Sequence, residues 1–298
     1  MVPFMAHSRK HYRLRMHSRT LVLGERTLLM GVLNVTPNSF SDGRVYLDSE
    51  SAIARAFELE RAGADILDVG GESTRPGAEP VSAEEELARV LPVLEGLRGK
   101  LRIPISLDTQ KAAVADAGIE AGVEIVNDVS ALRTDPALAE IVRRRRAGLV
   151  LMHMRGAPAS MQKGPFAANV MHDVMRGLRE ALKRAERAGI AKSQLVVDPG
   201  IGFGKRYTQN FQVLANLSEL AGLDCPLLVG TSRKAFLGWA LAGTGEAHGQ
   251  PWPVERRQWG TAATVAAAIL GGAHILRVHD VAEMAEVARV TDAIVSAR

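Results

Sequence analysis

The hydrophobic pattern of the chain alternates between short and long segments. Short runs of β-branched and other apolar residues are separated by longer stretches rich in Ala, Glu, Arg and Leu. The short runs, which we predict to be strands, are residues 28–34, 65–69, 103–108, 123–127, 148–153, 195–198, 226–230 and 274–278. The predicted helices are residues 49–63, 82–98, 110–121, 135–147, 168–189, 207–221, 234–242 with 256–271, and 280–296. Eight strand and helix units predict an α/β fold with a parallel sheet closed into a (β/α)8 barrel, the TIM barrel class.

Local signals and chain length agree with one large barrel. Ser82 lies three residues before Glu85, a capping-box spacing, and Asp135 precedes Pro136, which suits the first position of a helix. The 298 residues, 47% of them apolar, can bury a single core of that size. We predict that residues 1–25 form a basic arm and a short hairpin that closes the barrel bottom. Residues 26–298 are predicted to form a single barrel domain.

The charge distribution argues against a nucleic-acid partner. The sequence pI is near 9.4, but residues 1–26 hold six Arg or Lys and only one acidic residue. The rest of the chain is close to neutral and offers no broad basic face. The Arg run at residues 143–146 falls at the end of a predicted helix, where cations complement the helix dipole.

Cysteine usage and hydropathy favour a cytoplasmic protein with no membrane partner. The one cysteine, Cys225, has no partner for an intrachain disulfide. No apolar run approaches the roughly 20 residues of a membrane span. Residues 1–20 hold too many basic residues for a secretory signal, so we expect no cleavage.

Polar residues collect at the carboxyl ends of the predicted strands, where barrels of this class carry their active sites. Any one of them could be a turn or cap residue, but their number favours a binding site. Arg277 and His279 are two apart and are expected to face the same side. The strand-end residues are Asn34, Asp68, Asp108, Asn127, His153, Asp198, Ser232, Arg233, Lys234, Arg277 and His279.

The chemistry of these side chains predicts a ligand with an anionic group and a heterocyclic ring. Cationic groups at Arg75, Lys234, Arg277 and His279 suit phosphate oxygens. Carboxylates and an amide at Asp108, Asn127 and Asp198 suit the adjacent N–H donors of an aromatic heterocycle. These residue types leave a nucleotide, a flavin and a pterin open.

Other motifs are less specific. Residues 200–205, GIGFGK, are similar to a phosphate-binding loop, but their spacing matches neither a Walker A motif nor a dinucleotide fingerprint. His153 and His172 lack the spacing of a helical zinc site, so no zinc is expected. Met152 and Met154 alternate, and one of them is expected to reach the barrel mouth.

Seven of these segments, in order along the chain, resemble the dihydropteroate synthase family from about residue 28 onward. The segments are LNVTPNSFSDG at 33–43, DVGGESTRPG at 68–77, SLDT at 106–109, ND at 127–128, DPGIGFGK at 198–205, GTSRK at 230–234 and RVHD at 277–280. The resemblance implies a (β/α)8 enzyme of folate synthesis that couples a pterin diphosphate to p-aminobenzoate, and it implies a cytoplasmic homodimer that sulfonamides target.

The resemblance also implies roles for individual residues. The catalytic set would be Asp42, Asp108, Lys234, Arg277 and His279. The pterin would be held by Asp108, Asn127, Met152, Asp198, Lys234 and Arg277. The diphosphate would be bound by Asn34, Thr74, Arg75, Arg277 and His279, with Asn34 also meeting a Mg2+ cofactor. The p-aminobenzoate site would be bordered by Pro76, Phe203 and Ser232, and the loop with Asp42 would close over the leaving group.

The sequence departs from the family pattern at two positions of the first loop, and two other functions stay open. Asn38 stands where Asp is commoner, and Arg44 where Gly is usual. These changes keep a pterin-binding paralogue without turnover as an alternative. A methyltransferase that passes a folate methyl group to a corrinoid protein is a second alternative, but it needs no diphosphate site and therefore no cations such as Arg75, Lys234 and His279.

Overall fold

The architecture is an eight-stranded parallel sheet wrapped by helices, preceded by a two-stranded hairpin. The computed structural model describes residues 9–35, 45–74, 77–157, 160–243 and 250–297, with the backbone alone for residues 45–48. The hairpin strands are β1 (Tyr12–Arg15) and β2 (Thr20–Leu23). The barrel strands are β3 (Leu28–Asn34), β4 (Ile66–Gly70), β5 (Ile105–Asp108), β6 (Ile125–Asp128), β7 (Gly148–Met152), β8 (Leu195–Asp198), β9 (Leu228–Val229) and β10 (Ile275–Val278).

The barrel closes in the order expected for consecutive β/α units. Strands β3 to β8 pair in sequence order, and β10 lies between β3 and β9. A parallel bridge between Val197 and Leu227 joins the two remaining strands, β8 and β9. The predicted (β/α)8 barrel class is therefore confirmed, together with the N-terminal hairpin.

Helices follow the strands around the outside of the sheet. They are α1 (Val45–Arg61), α2 (Ala83–Leu97), α3 (Ala112–Glu120), α4 (Ala137–Arg145), α5 (Val170–Arg187), α6 (Tyr207–Ala215), α7 (Ala235–Ala242), α8 (Gln258–Leu270) and α9 (Val281–Ser296). Ser82 caps α2 by accepting from the Glu85 backbone N–H at 3.2 Å, as its spacing predicts. None of the helices in the described ranges is long and apolar enough to cross a bilayer.

Most predicted elements are one or two residues shorter at an end, and two are shortened for an identifiable local reason. The helix predicted at 207–221 ends at Ala215 because Asn216 leaves helical geometry, and its amide donates to the Gln212 carbonyl at 2.7 Å. Residues Leu217–Leu223 continue as a 3-10 helix. The strand predicted at 226–230 narrows to Leu228–Val229, since Pro226 has no N–H and the His274 ring accepts from the Leu227 N–H at 3.1 Å.

The hairpin packs against the amino-terminal end of the barrel interior. Leu14, Met16 and Leu23 share one buried cluster with apolar residues from seven barrel strands. At the start of the described chain, Arg9 donates to the Thr27 hydroxyl at 2.6 Å and pairs with Asp292 of α9. A larger core lies between the sheet and the surrounding helices. The hairpin thus covers the barrel bottom and leaves the opposite end as the mouth.

Candidate active site

The barrel interior changes from apolar to polar in one step along the strands. Side chains at alternate strand positions face the same side. The lower interior layer comprises Ile66, Ile125, Val150, Val196, Leu228 and Ile275. Two residues further along the same strands are Asp68, Asn127, Met152, Asp198, Gly230 and Arg277. This second layer lies at the carboxyl ends of the strands, where barrel enzymes carry their active sites.

Arg277 connects two carboxylates across the interior. Its Nε donates to Asp68 Oδ2 at 2.6 Å, and its Nη2 donates to Asp108 Oδ2 at 2.8 Å. Burial opposes the charge on the guanidinium, but the two carboxylates outweigh burial and raise the pKa of Arg277. The arginine is a fixed cation that reaches from β10 to β4 and β5.

Asp108 has one carboxylate oxygen in contact with Arg277 and a second one that can bind a ligand. The residue is 6% exposed, and among the described residues no group donates to its Oδ1 atom. Burial raises the pKa of Asp108 to about 7, with Arg277 opposing and Asp68 adding to the shift. A ligand with an N–H donor can therefore restore a hydrogen bond that the protein leaves open.

Asn127 lies on the next strand and is oriented by Asp68. Its Nδ2 donates to Asp68 Oδ2 at 3.2 Å, the same oxygen that Arg277 contacts. Asp68 is fully buried within β4. It therefore fixes two candidate binding residues, although the sequence analysis named it only as a strand-end residue and assigned it no ligand.

Asp198 and Lys234 interact electrostatically beside the loop that follows β8. Asp198 Oδ1 accepts from the Gly200 N–H at 2.7 Å, and burial raises the pKa of Asp198 while Lys234 opposes the shift. Lys234 Nζ donates to the Ile201 carbonyl and lies 4.7 Å from the centre of the Phe203 ring. Burial lowers the pKa of Lys234 to about 8.

An apolar wall stands next to these charged groups. Met152 is 4% exposed and packs with Val129, Met154 and Met161, and Phe203 lies against the same cluster. The predicted pterin residue Met152 and the predicted p-aminobenzoate residue Phe203 are therefore parts of one surface. A flat ring bound by the polar layer can pack on this wall.

Ser232 and His279 are in direct contact. The Ser232 hydroxyl accepts from the His279 backbone N–H at 3.2 Å and lies 3.0 Å from the ring Nδ1. Ser232 is buried and follows β9, and His279 lies just beyond β10. Arg277 and His279, expected to act together, thus have different partners: Arg277 pairs with carboxylates inside the barrel, and His279 with the hydroxyl at its rim.

The remaining predicted residues lie around the first two strands. Asn34 ends β3 beside Gly70, and Thr74 is half-buried after β4. Asp42, Arg75 and Pro76, and the departures Asn38 and Arg44, lie outside the described residues. Within the described ranges, no group of three or more His, Cys, Asp or Glu side chains is arranged to hold a metal ion.

Lys205 is a further buried cation that the sequence motifs did not single out as functional. It is 2% exposed, and burial lowers its pKa to about 7. Its position at the end of a glycine-rich segment gives it the appearance of a phosphate-loop lysine, but its contacts are to protein groups. Lys205 becomes a candidate for a role in the site through its burial, since its side chain is only 2% exposed beneath the site.

The chain is similar to proteins of one family along most of its length. The sequence profile of the pterin binding enzyme family matches residues 30–279. A dihydropteroate synthase from Synechocystis sp. is 44% identical over 271 residues, which is 91% of each chain. The Yersinia pestis dihydropteroate synthase, solved as a sulfonamide drug complex, is 41% identical with a TM-score of 0.87 and covers 96% of this chain and 100% of its own. The Xanthomonas albilineans enzyme, solved with 4-aminobenzoic acid, is 42% identical with a TM-score of 0.85 over 96% and 98% of the two chains.

Proposed function

The chain belongs to the pterin binding enzyme family, and from that premise we propose that it is a transferase of folate biosynthesis. It condenses 6-hydroxymethyl-7,8-dihydropterin diphosphate with p-aminobenzoate to give 7,8-dihydropteroate and diphosphate. The observation that carries this function is the buried polar layer in which Asp108 keeps a carboxylate oxygen open beside the fixed Arg277.

The pterin occupies the polar interior layer. Asp108 and Asp198 accept N–H groups of the pterin, Asn127 supplies an amide, and Lys234 donates to a ring acceptor. Asp108 Oδ1 is the first of these acceptors, since it is buried and the described protein groups do not use it. Met152 forms the apolar floor on which the ring packs, and the planar guanidinium of Arg277 stacks on the ring face.

The diphosphate is proposed to lie at the rim near His279, Asn34 and Thr74, with Arg277 reaching it from the barrel interior. Arg75, which lies outside the described residues, is a further proposed ligand. Cationic and N–H donors there stabilise the charge that develops on the leaving group. Asp42, which lies outside the described residues, is proposed as a further contact of the leaving group, as the family resemblance implies. This assignment is supported by the positions of Asn34, Arg277 and His279 at neighbouring strand ends.

Mg2+ is the proposed cofactor, and the donor at Asn34 fits it. Mg2+ is usually held by one or two protein oxygens together with substrate phosphates and water, rather than by a complete protein cage. Asn34 offers a carboxamide oxygen at the end of β3, next to the proposed diphosphate site. When bound there, Mg2+ would neutralise charge on the diphosphate.

The p-aminobenzoate is proposed to lie against Phe203 and Ser232, with Pro76, outside the described residues, as a further proposed contact. Its neutral arylamine attacks the methylene carbon of the pterin as the C–O bond to diphosphate breaks. Asp108 and Asp198 stabilise positive charge on the pterin during that step, and the amine proton leaves to diphosphate or water. No side chain is required as a general base. The same subsite is proposed to accept sulfonamides.

The proposed compartment is the cytoplasm and the proposed assembly is a homodimer. The single cysteine, Cys225, is a buried free thiol, which supports a reducing compartment. Large apolar side chains on α8 and α9 support an interface between two copies: Trp259, Val290 and Ile294 are 79%, 64% and 50% exposed. Light scattering of the purified chain tests the assembly.

Incubation of the purified protein with the pterin diphosphate, Mg2+ and p-aminobenzoate tests the function. Dihydropteroate is the expected product, and Arg277→Ala is expected to abolish its formation without unfolding the protein. Arg26→Ala is the matched control, because Arg26 pairs with Asp65 at the closed end of the barrel. Ligand binding without turnover would favour the silent paralogue, and methyl transfer to a corrinoid protein would favour the methyltransferase.

A further inference from the structure

The loop after β8 has every carbonyl from residue 200 to residue 203 bound by a side chain. Three of the four carbonyls are bound by lysines. Lys205 Nζ donates to Gly200 O at 2.7 Å and Phe203 O at 3.2 Å, Lys234 Nζ donates to Ile201 O, and Gln162 Nε2 donates to Gly202 O at 2.8 Å. The loop therefore directs carbonyl oxygens at cations.

Three backbone N–H groups of the same loop are used inside the protein. Gly200 N donates to Asp198 at 2.7 Å, Gly202 N to Asn210 Oδ1 at 2.6 Å, and Phe203 N to the Gly200 carbonyl at 3.1 Å. A phosphate-binding loop needs its N–H groups directed at the ligand. The similarity of residues 200–205 to such a loop is therefore one of sequence only.

Lys205 is held by a buried polar chain that continues away from the site. Its Nζ lies 3.1 Å from His153 Nδ1, and His153 Nε2 lies 3.4 Å from Asp173 Oδ2. Burial lowers the pKa of His153 to about 4, so the neutral ring accepts from the lysine and donates to Asp173. Arg155 and Arg176 bind the same Asp173 carboxylate. Lys205 is therefore held by the loop carbonyls on one side and by His153 on the other.

Lys205 and Lys234 hold neighbouring carbonyls but differ in access to the site. Lys234 is half-buried and contacts Phe203, whereas Lys205 is buried beneath the loop. Under the proposed function, Lys234 turns to the pterin and its bond to the Ile201 carbonyl weakens. The Lys205 bonds to Gly200 and Phe203 do not depend on the pterin and keep the loop in place.

We propose that Lys205 is a positioning residue for the p-aminobenzoate subsite: it holds the Phe203 carbonyl, and thereby the Phe203 ring, where the second substrate binds. The inference rests on the proposed function for the identity of that substrate. Two of the proposed pterin ligands, Asp198 and Lys234, contact the loop. Asp108, Asn127 and Arg277 are on strands to which Lys205 makes no hydrogen bond, so most of the pterin site does not depend on it. Loss of Lys205 should therefore weaken p-aminobenzoate more than pterin.

Lys205→Met tests this role, since methionine keeps much of the side-chain length without a donor. We expect the KM for p-aminobenzoate to rise at least about tenfold, while the Kd for pterin stays within about twofold of the wild-type value. Lys205→Arg, which keeps charged donors, is expected to recover part of the loss. Lys192→Met is the matched control, because Lys192 pairs with Asp224 on the surface near the hairpin.

Calorimetric titration of p-aminobenzoate, with Mg2+, diphosphate and pterin present, gives the same comparison without turnover. A wild-type protein that binds both ligands but makes no dihydropteroate contradicts the proposed function and leaves the Lys205 comparison measurable. Unchanged p-aminobenzoate affinity, or an equal loss for both ligands, overturns the positioning role. If Lys205→Met does not fold, Lys205→Gln replaces it; its shorter, uncharged side chain keeps amide N–H donors, so a smaller loss that is still selective for p-aminobenzoate is expected.

Discussion

Arg277 Nε and Asp68 Oδ2 lie 2.6 Å apart in the middle of the barrel, and Asn127 donates to the same oxygen. One buried carboxylate thus fixes the direction of a cation and of an amide that are both proposed to touch the pterin. Asp68 does not need to contact the substrate to affect the reaction. Its effect passes through the positions of Arg277 and Asn127.

Asp68→Asn is expected to lower kcat/KM at least about tenfold. The amide keeps the volume of the carboxylate but removes the charge that orients Arg277, while Asp108 still pairs with the guanidinium. The protein should therefore fold, with a loss of stability below the roughly 3–5 kcal/mol of a fully broken buried pair. Steady-state kinetics and urea unfolding measure both effects. Asp65→Asn, at the opposite end of the same strand, is the control, and equal activity in the two variants would contradict the role of Asp68.

Strand parity allowed much of the site to be predicted, and Asp68 was recognised as a strand-end residue but was not given a role. The alternation of Ile66 with Asp68 places the carboxylate inside, but the motif that follows it draws attention to the loop instead. Lys205 was missed for another reason: its contacts to His153 and to two carbonyls depend on how β7 and β8 lie together, which no local pattern specifies. Helices, strands and the ends of strands can be predicted from local residue patterns, whereas the contacts of Lys205 depend on the tertiary fold.

Asp198→Asn is expected to raise the Kd for pterin at least about tenfold. A hydrogen bond to a charged acceptor contributes roughly 1.5–3 kcal/mol. The Asn side chain can still accept from the Gly200 N–H, so the loop should keep its shape and the effect should report on the ligand. Calorimetry measures the affinity, and a thermal melt checks the fold. An unchanged Kd would indicate that Asp198 does not bind the pterin and only stabilises the turn by accepting from the Gly200 N–H.

The affinity for a pterin without diphosphate should fall as the pH drops below about 7. Burial raises the pKa of Asp108 to about 7, so its carboxyl takes up a proton in this range and loses the charge that binds the N–H donors. At pH 6 about a tenth of the sites would be competent, which raises the apparent Kd about tenfold. Titrations between pH 5 and 7.5 stay below the pKa of Lys234, which burial lowers to about 8. Lys205, whose pKa burial lowers to about 7, also titrates in this window, but its contacts are to protein groups. Asp108→Asn should reduce this dependence and leave the part that comes from Asp198, whose pKa burial also raises. A pH-independent wild type would contradict the prediction.

Gly204→Ala should destabilise the protein more than Gly243→Ala by at least about 2 kcal/mol. Both glycines have positive φ, +63° and +68°, so both variants incur the cost of a left-handed backbone. A Cβ at Gly204 would lie 2.2 Å from the Arg155 carbonyl, whereas no described atom lies within 4 Å of one at Gly243. Urea unfolding gives the two free energies. Equal losses would show that the loop can move away from residues 153–155.

Binding of p-aminobenzoate should depend on occupancy of the diphosphate site. Ser232, proposed to border p-aminobenzoate, is hydrogen-bonded to His279, proposed to bind diphosphate. A ligand that fixes His279 also fixes the Ser232 hydroxyl, so the second substrate meets an ordered partner. The sequence further predicts that segments 35–48 and 70–81, only partly within the described residues, close on the diphosphate and complete the second subsite.

We therefore expect p-aminobenzoate, or a sulfonamide mimic, to bind at least about tenfold more tightly when Mg2+, diphosphate and a pterin are present. Calorimetric titration with and without those ligands measures the difference. Ser232→Ala should reduce it, because the contact with His279 is lost. Linkage requires the reverse effect, so p-aminobenzoate must tighten binding of the other ligands by the same factor. Equal affinity in both titrations would mean that the second subsite is formed in the free protein and that binding is not ordered.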